Sequence, residues 1–127
     1  MNKEKTIIEY HLNKASISHL WNSIGTTHGL AEWFADDVTV ENNIYTFRWS
    51  DHEQKAILKK QKLLVYMRFQ WLEDKDSDYI FEIRLQTAEL TGEVILLITD
   101  YAYPNEIDDL KMLWNQQIDA LCRKIGI

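Results

Sequence analysis

The side chains able to do chemistry are scattered along this chain rather than gathered. His11, His19, His28 and His52 are its four histidines, and Cys122 is its one cysteine. No two of them stand at helical or strand ligand spacing, so no metal centre is expected. His11 falls on the outer face of an alternating segment and His52 in a turn. A nucleophilic site needs a Ser or Cys with an organising His and an acid. Cys122 instead lies between Leu121 and Arg123 beside an apolar helical stripe, where it reads as a small buried hydrophobe. The four glycines are isolated, and none belongs to a G-x-G-x-x-G or phosphate-loop pattern.

General acid–base work needs an ionisable group held among apolar neighbours. Lys111 is one such group. On a helical wheel it falls near Ile118 and Cys122 at one flank of the apolar stripe, with Gln117 at the other flank. Either its stem lies on the protein with the ammonium in water, or it makes a polar contact at a cavity mouth. Asp36 and Asp37, after Trp33-Phe34, face the same choice between a solvated strand entry and that mouth. The aromatic set Trp33, Tyr45, Phe47, Trp49, Phe69, Trp71 and Trp114 reads as core or as the lining of an apolar pocket closed by the Trp33 helix. Core and pocket wall use the same residue types, so the residues alone leave both readings open.

The elements that position these groups follow from period. Asn105 to Ile127 reads as one amphipathic helix, with Ile107, Leu110, Trp114, Ile118, Leu121 and Ile125 recurring at steps of three and four. Asn105 is the expected N-cap. Glu106, Asp108 and Asp109 suit the positive end of the helix dipole, and Arg123 and Lys124 the negative end. Gly126 suits a left-handed C-terminal residue. Thr6 to Leu12 alternates as a half-buried strand, with Ile8, Tyr10 and Leu12 on one face. Two short helices follow, one opened by Asn13 or Ser16 with the stripe Ile17, Leu20, Trp21 and Ile24, the other opened by Thr26-Thr27 with Leu30, Trp33 and Phe34.

Beyond Asp37 the period becomes two. Strands are expected at Asp37–Glu41 with Val38 and Val40 inward, and at Ile44–Trp49 with Tyr45, Phe47 and Trp49 inward. More follow at Glu53–Lys59, at Lys62–Trp71 with Leu63, Val65, Met67, Phe69 and Trp71 inward, at Tyr79–Gln86 with Phe81, Ile83 and Leu85 inward, and at Glu93–Tyr101. The inward face of the last is not readable from its run Val94-Ile95-Leu96-Leu97-Ile98. Short polar turns join these strands, so they should form an antiparallel meander onto which the terminal helix packs its stripe.

Bulk properties exclude several function classes. At 127 residues, 46% hydrophobic and 27% charged, the chain suits a single globular domain over residues 1–127. Its formal net charge is -6 and no Lys/Arg cluster interleaves with aromatics, so a nucleic-acid partner is not expected. The basic stretch Lys55 to Lys62 reads as a solvated hairpin edge. One cysteine precludes an intramolecular disulfide. No signal-like run or apolar segment of about 18 residues points to a membrane span, and a cytoplasmic location is the simplest expectation.

The order strand, two short helices, about six strands, long helix resembles the START-like, or helix-grip, superfamily. Within it, the chain is similar to the branch of activators of the heat-shock-protein ATPase and polyketide-cyclase-like proteins. The resemblance covers nearly the whole chain. It rests on that order, on Ser18-His19-Leu20-Trp21-Asn22-Ser23-Ile24-Gly25-Thr26-Thr27 followed by Gly29-Leu30-Ala31-Glu32-Trp33-Phe34, and on Trp114 at the head of an apolar helix. It implies an α+β fold in which a curved antiparallel sheet wraps a long C-terminal helix.

For function the resemblance implies a small hydrophobic or aromatic ligand held between that helix and the sheet, with no cofactor and no catalytic constellation. The lining would be Trp33, Tyr45, Phe47, Trp49, Phe69, Trp71, Lys111, Trp114 and Ile118. The alternative is a protein-interaction or co-chaperone-like domain with a filled core. It would dock a protein partner, or a second copy as a homodimer, through the outer sheet face (Leu64, Tyr66, Ile80) or the Trp33–Phe34 region. The short strand connections and the aromatic interior imply a small cavity, or one filled by Trp49, Phe69, Trp71 and Trp114.

Overall fold

Thr6, Ile8, Tyr10 and Leu12 turn inward along β1 (Glu4–Leu12), and the partner that receives them is the last strand of the chain. In the computed structural model, which describes residues 2–127, β1 is followed by α1 (Ile17–Ile24) and α2 (Thr27–Trp33). Then come β2 (Asp37–Glu41), β3 (Ile44–Arg48), β4 (Glu53–Lys62), β5 (Tyr66–Trp71), β6 (Phe81–Thr87), β7 (Val94–Ala102) and α3 (Ile107–Ile125). The seven strands form one curved antiparallel sheet in the order β1-β7-β6-β5-β4-β3-β2. The meander from β2 to β7 is the one the turns predict. The two short helices carry the chain across to let β1 pair with β7, with Ile8 opposite Ile98 and Leu12 opposite Val94.

Both short helices start where their sequences say. Ser16 Oγ accepts from the backbone N–H of His19, and Thr26 Oγ1 accepts from that of Gly29, each filling an orphan donor of a first turn. The helices touch backbone to backbone at Gly29, where a Cβ would lie 1.9 Å from the carbonyl oxygen of Asn22. Only glycine allows that approach. The indole of Trp33 then reaches back and donates to the Ser23 carbonyl at 2.8 Å.

Three expectations are corrected. The strand expected at Lys62–Trp71 is a hairpin: β4 runs on to Lys62, the chain reverses at 63–65, and β5 begins at Tyr66. Leu63 is 72% exposed rather than inward, and Leu64 takes a left-handed φ of 66°. An unbroken apolar alternation hid the turn because no Gly, Asn or Asp marks it. The hydrogen bonding of a three-residue hairpin closed by Val65 N–H on the Lys62 carbonyl outweighs the roughly 1–2 kcal/mol that a left-handed leucine costs. Val40 is 47% exposed, because β2 is the outermost strand and its end extends past the helical cover. Asn105 is not the N-cap of α3. Pro104–Glu106 form a 3-10 turn, and α3 starts at Ile107 after Glu106 with no side-chain cap. The fixed φ of Pro104 favours this tighter turn, in which the Glu106 N–H is satisfied by the Tyr103 carbonyl. The other end of α3 is as expected, with Gly126 left-handed and donating to the Cys122 carbonyl.

The concave face carries Phe47, Met67, Phe69, Phe81, Ile83, Leu96 and Ile98, all buried, and Ile118 and Leu121 of α3 complete the same cluster with Leu20, Ile24 and Leu30 of the short helices. Each such side chain contributes about 1.5–3 kcal/mol on leaving water.

Candidate functional site

On β7 the inward residues fall at every second position: Val94, Leu96, Ile98, then Asp100, then Ala102. Pairing of Ile98 with Ile8 and with Ile83 sets this phase. It turns the carboxylate of Asp100 toward α3, among apolar neighbours. The indole Nε1–H of Trp114 donates to Asp100 Oδ2 at 2.9 Å, and the Tyr101 backbone N–H donates to Oδ1 at 2.7 Å. Burial pushes the Asp100 carboxyl up from 3.8 to about 6, against the opposing pull of those two donors and of Lys3. At neutral pH the group is mostly ionised, and each oxygen keeps lone-pair capacity for a further donor.

Asp100 lies in the wall of a cavity of about 420 Å³ beneath the first half of α3. Leu110, Leu113, Trp114 and Gln117 come down from the helix at steps of three and four. Trp49 comes from the end of β3 and Trp71 from the end of β5, so the cavity sits where these strands leave the sheet. Phe34, just after α2, closes the inner end. Its carbonyl accepts from Trp49 Nε1 at 3.1 Å and from Gln117 Nε2 at 3.4 Å, which ties strand, helix and loop together. The ring of His52 stacks on Trp49 with centroids 4.7 Å apart. At the rim, Lys3 meets Asp74 at 3.6 Å and lies 5.3 Å from the centre of the Tyr79 ring. Glu73 accepts from Gln54 Nε2 at 2.8 Å.

Of the residues the sequence nominated for the lining, the structure brings Trp49, Trp71 and Trp114 to the cavity. Trp33, Tyr45, Phe47, Phe69 and Ile118 are buried in the adjoining core and are not among its lining residues. Phe69 stacks on Phe81, and Phe81 on Trp71, so the core aromatics support the cavity wall from behind. Lys111 is exposed and does not line the cavity. At about 100° per residue it stands roughly 120° from Gln117, and the cavity opens on the Gln117 flank. Asp36 and Asp37 are also outside the lining, and Asp37 pairs with Arg48 on the surface.

Sequence reasoning missed Asp100, His52, Lys3 and the rim carboxylates. Asp100 had one usable signal, since an inward Ile98 requires an inward Asp100. The inward face of that strand was the one thing its apolar run withheld. The others arrive from turns and termini, where no period exists to read.

Among the described residues, no group of three or more His, Cys, Asp or Glu side chains converges as metal ligands. No helix there is long and apolar enough to cross a membrane. The arrangement can accept hydrogen bonds at Asp100 and offer aromatic faces to a flat or apolar body.

Comparison with known proteins agrees with this architecture. Curated protein sequences return no match. The solved structure of BfR322 from Bacteroides fragilis is 40% identical, covers 100% of this chain and 94% of that one, and superposes with a TM-score of 0.71. The Aha1 dimer from Colwellia psychrerythraea shares the fold at 14% identity and a TM-score of 0.76, covering 93% of this chain and 92% of that one. DynU16, from the dynemicin biosynthetic locus, does so at 12% identity and a TM-score of 0.75, covering 96% of this chain and 47% of that one. The family model described as the START-like superfamily domain matches residues 1–127, and the chain belongs to that superfamily.

Proposed function

We propose that the protein binds a small apolar or aromatic molecule in the cavity beneath the first half of α3. The observation that carries this reading is the cavity and its lining: about 420 Å³ of space walled by Trp49, Trp71 and Trp114, whereas a groove of equal volume along β2 to β4 is lined mainly by polar and charged side chains such as Thr39, Glu41, Arg48 and Lys55. That volume lies in the range that holds drug-sized ligands and admits flat aromatic bodies of about two to four fused rings. Membership of a superfamily that generally binds hydrophobic ligands supports it. The interaction-domain alternative assumes a filled core, and the open end of the groove weighs against that assumption.

Uptake of the neutral dye Nile red tests the proposal. Saturable emission is expected with the unaltered protein. A Leu110→Trp variant, which places an indole in the cavity, should lose it while keeping its circular dichroism spectrum. Absence of saturable uptake, or equal uptake by the Leu110→Trp variant, sinks the proposal.

A further inference from the structure

The cavity's largest walls are aromatic, and carboxylates predominate among its charged groups. Its large surfaces are the indoles of Trp49, Trp71 and Trp114, and such faces carry negative potential that attracts cations. Its deep polar group is a carboxylate. The donors that reach Asp100, an indole N–H and an amide N–H, are neutral. They satisfy part of its hydrogen-bonding capacity without cancelling its charge. Lys3 favours that charge from the rim but pairs with Asp74 at 3.6 Å, and Asp74 disfavours it, so Asp100 is only partly compensated.

The lining adds Glu73 and Asp74, the imidazole of His52 and, among the described residues, one ammonium, that of Lys3. Lys3 is engaged at the edge, 3.6 Å from Asp74 and over the rings of Tyr79 at 5.3 Å and Tyr103 at 5.6 Å. One ammonium thus faces three carboxylates, and the chain itself already seats a primary ammonium on an aromatic face beside a carboxylate at this rim.

We propose, resting on the ligand-binding reading above, that the cavity selects a cationic amine: a protonated primary or secondary ammonium hydrogen-bonded to Asp100, on a small aromatic or apolar body laid against the indoles of Trp49, Trp71 and Trp114. An anion of the same shape meets three carboxylates and is excluded. A neutral molecule of the same shape keeps the aromatic contacts and brings Asp100 no counter-charge beyond that of Lys3.

Three probes of one size decide it: naphthylmethylamine, which is protonated at neutral pH, naphthylmethanol, and naphthoate. Binding is followed at the Trp114 indole N–H resonance, which reports on the site itself. The amine is expected to bind about tenfold or more tighter than the alcohol, as a hydrogen bond to an ionised partner implies, with naphthoate the weakest. Asp100→Asn keeps an acceptor for Trp114 and should bring the amine to the affinity of the alcohol. Glu73→Gln, at the rim, should weaken the amine less. Equal affinities of amine and alcohol for the unaltered protein overturn the amine assignment and leave the cavity reading intact. An amine preference that survives in Asp100→Asn overturns the role of Asp100. Failure of all three probes, together with absence of Nile red uptake, overturns both readings. The primary comparison uses the unaltered protein, so it does not depend on any variant folding.

Discussion

The two ends of the groove under α3 are built from one apolar stripe and end up as different places. Toward its C-terminus, Ile118 and Leu121 sink into a dry cluster with Leu20, Ile24 and Leu30, and Leu121 is 0% exposed. Toward its N-terminus, Leu110 and Trp114 of the same stripe border a cavity, with Leu113 beside them 53% exposed. The helix has the same period throughout. The difference is what stands opposite. α1 and α2 supply large side chains to the cluster that the C-terminal half joins. The N-terminal half faces a carboxylate on β7 and a loop of charged and hydroxyl residues between β5 and β6. One end of the groove holds the fold, and the other is left open at the expense of a part-buried charge.

The comparison breaks most visibly at Leu121. Leu121→Ala is expected to lose about 2–5 kcal/mol, because the cluster around it cannot collapse fully into the space left. Urea unfolding measures this, and a loss under about 1 kcal/mol would mean that the C-terminal half is not the closely packed one.

Asp100→Asn should have a smaller effect of opposite sign. The folded-state pKa is raised from 3.8 to about 6, so between those values the folded protein holds a proton that the unfolded chain releases. The stabilising contribution is therefore whole below about pH 4 and lost as pH rises through about 6. The neighbouring charges are Lys3, which favours the ionised form, and Asp74, which disfavours it. At neutral pH the ionised carboxylate is a net burden that asparagine does not carry. Asp100→Asn should gain on the order of 1–2 kcal/mol there, after discounting residual solvent contact, and should flatten the stability profile between about pH 4 and 6. Urea midpoints measured across that range report both effects, and an Asp100→Asn variant less stable than the parent at neutral pH contradicts the assignment.

The finest cut is between the two flanks of α3. Lys111→Ala and Leu113→Ala should each move stability by no more than about 0.5 kcal/mol, since both side chains are exposed. They should part on ligand uptake, with Leu113→Ala altering Nile red affinity and Lys111→Ala leaving it unchanged. A weakened Lys111→Ala variant would move the cavity mouth to the other flank.

Much of the fold was legible because period is a local property. The stripe Ile107 to Ile125, the caps at Ser16 and Thr26, and the alternation of Phe81, Ile83 and Leu85 each follow from side-chain spacing along a helix or strand. So did the order of elements, and with it the family. Errors fell where local signals were silent or outvoted. Leu63-Leu64 turn without a turn residue, and the 3-10 turn Pro104–Glu106 moves the start of the last helix from Asn105 to Ile107.

The site was less legible for a different reason. Trp49, Trp71 and Trp114 were recognisable as interior, but an aromatic that fills a core and one that lines a cavity are chemically alike. Whether space remains between them depends on the volumes contributed by every facing element, a sum no single segment carries. The same holds for Asp100, whose inward direction is set by hydrogen-bonded register with β1 and β6, more than ten residues away along the chain, and for the choice of Gln117 over Lys111, set by which flank of α3 the neighbouring loop leaves uncovered. Spacing along the chain was enough for the elements and the family. The cavity and its carboxylate exist only through strand pairing and packing, because distant side chains acquire a shared interior only when the sheet closes around the helix.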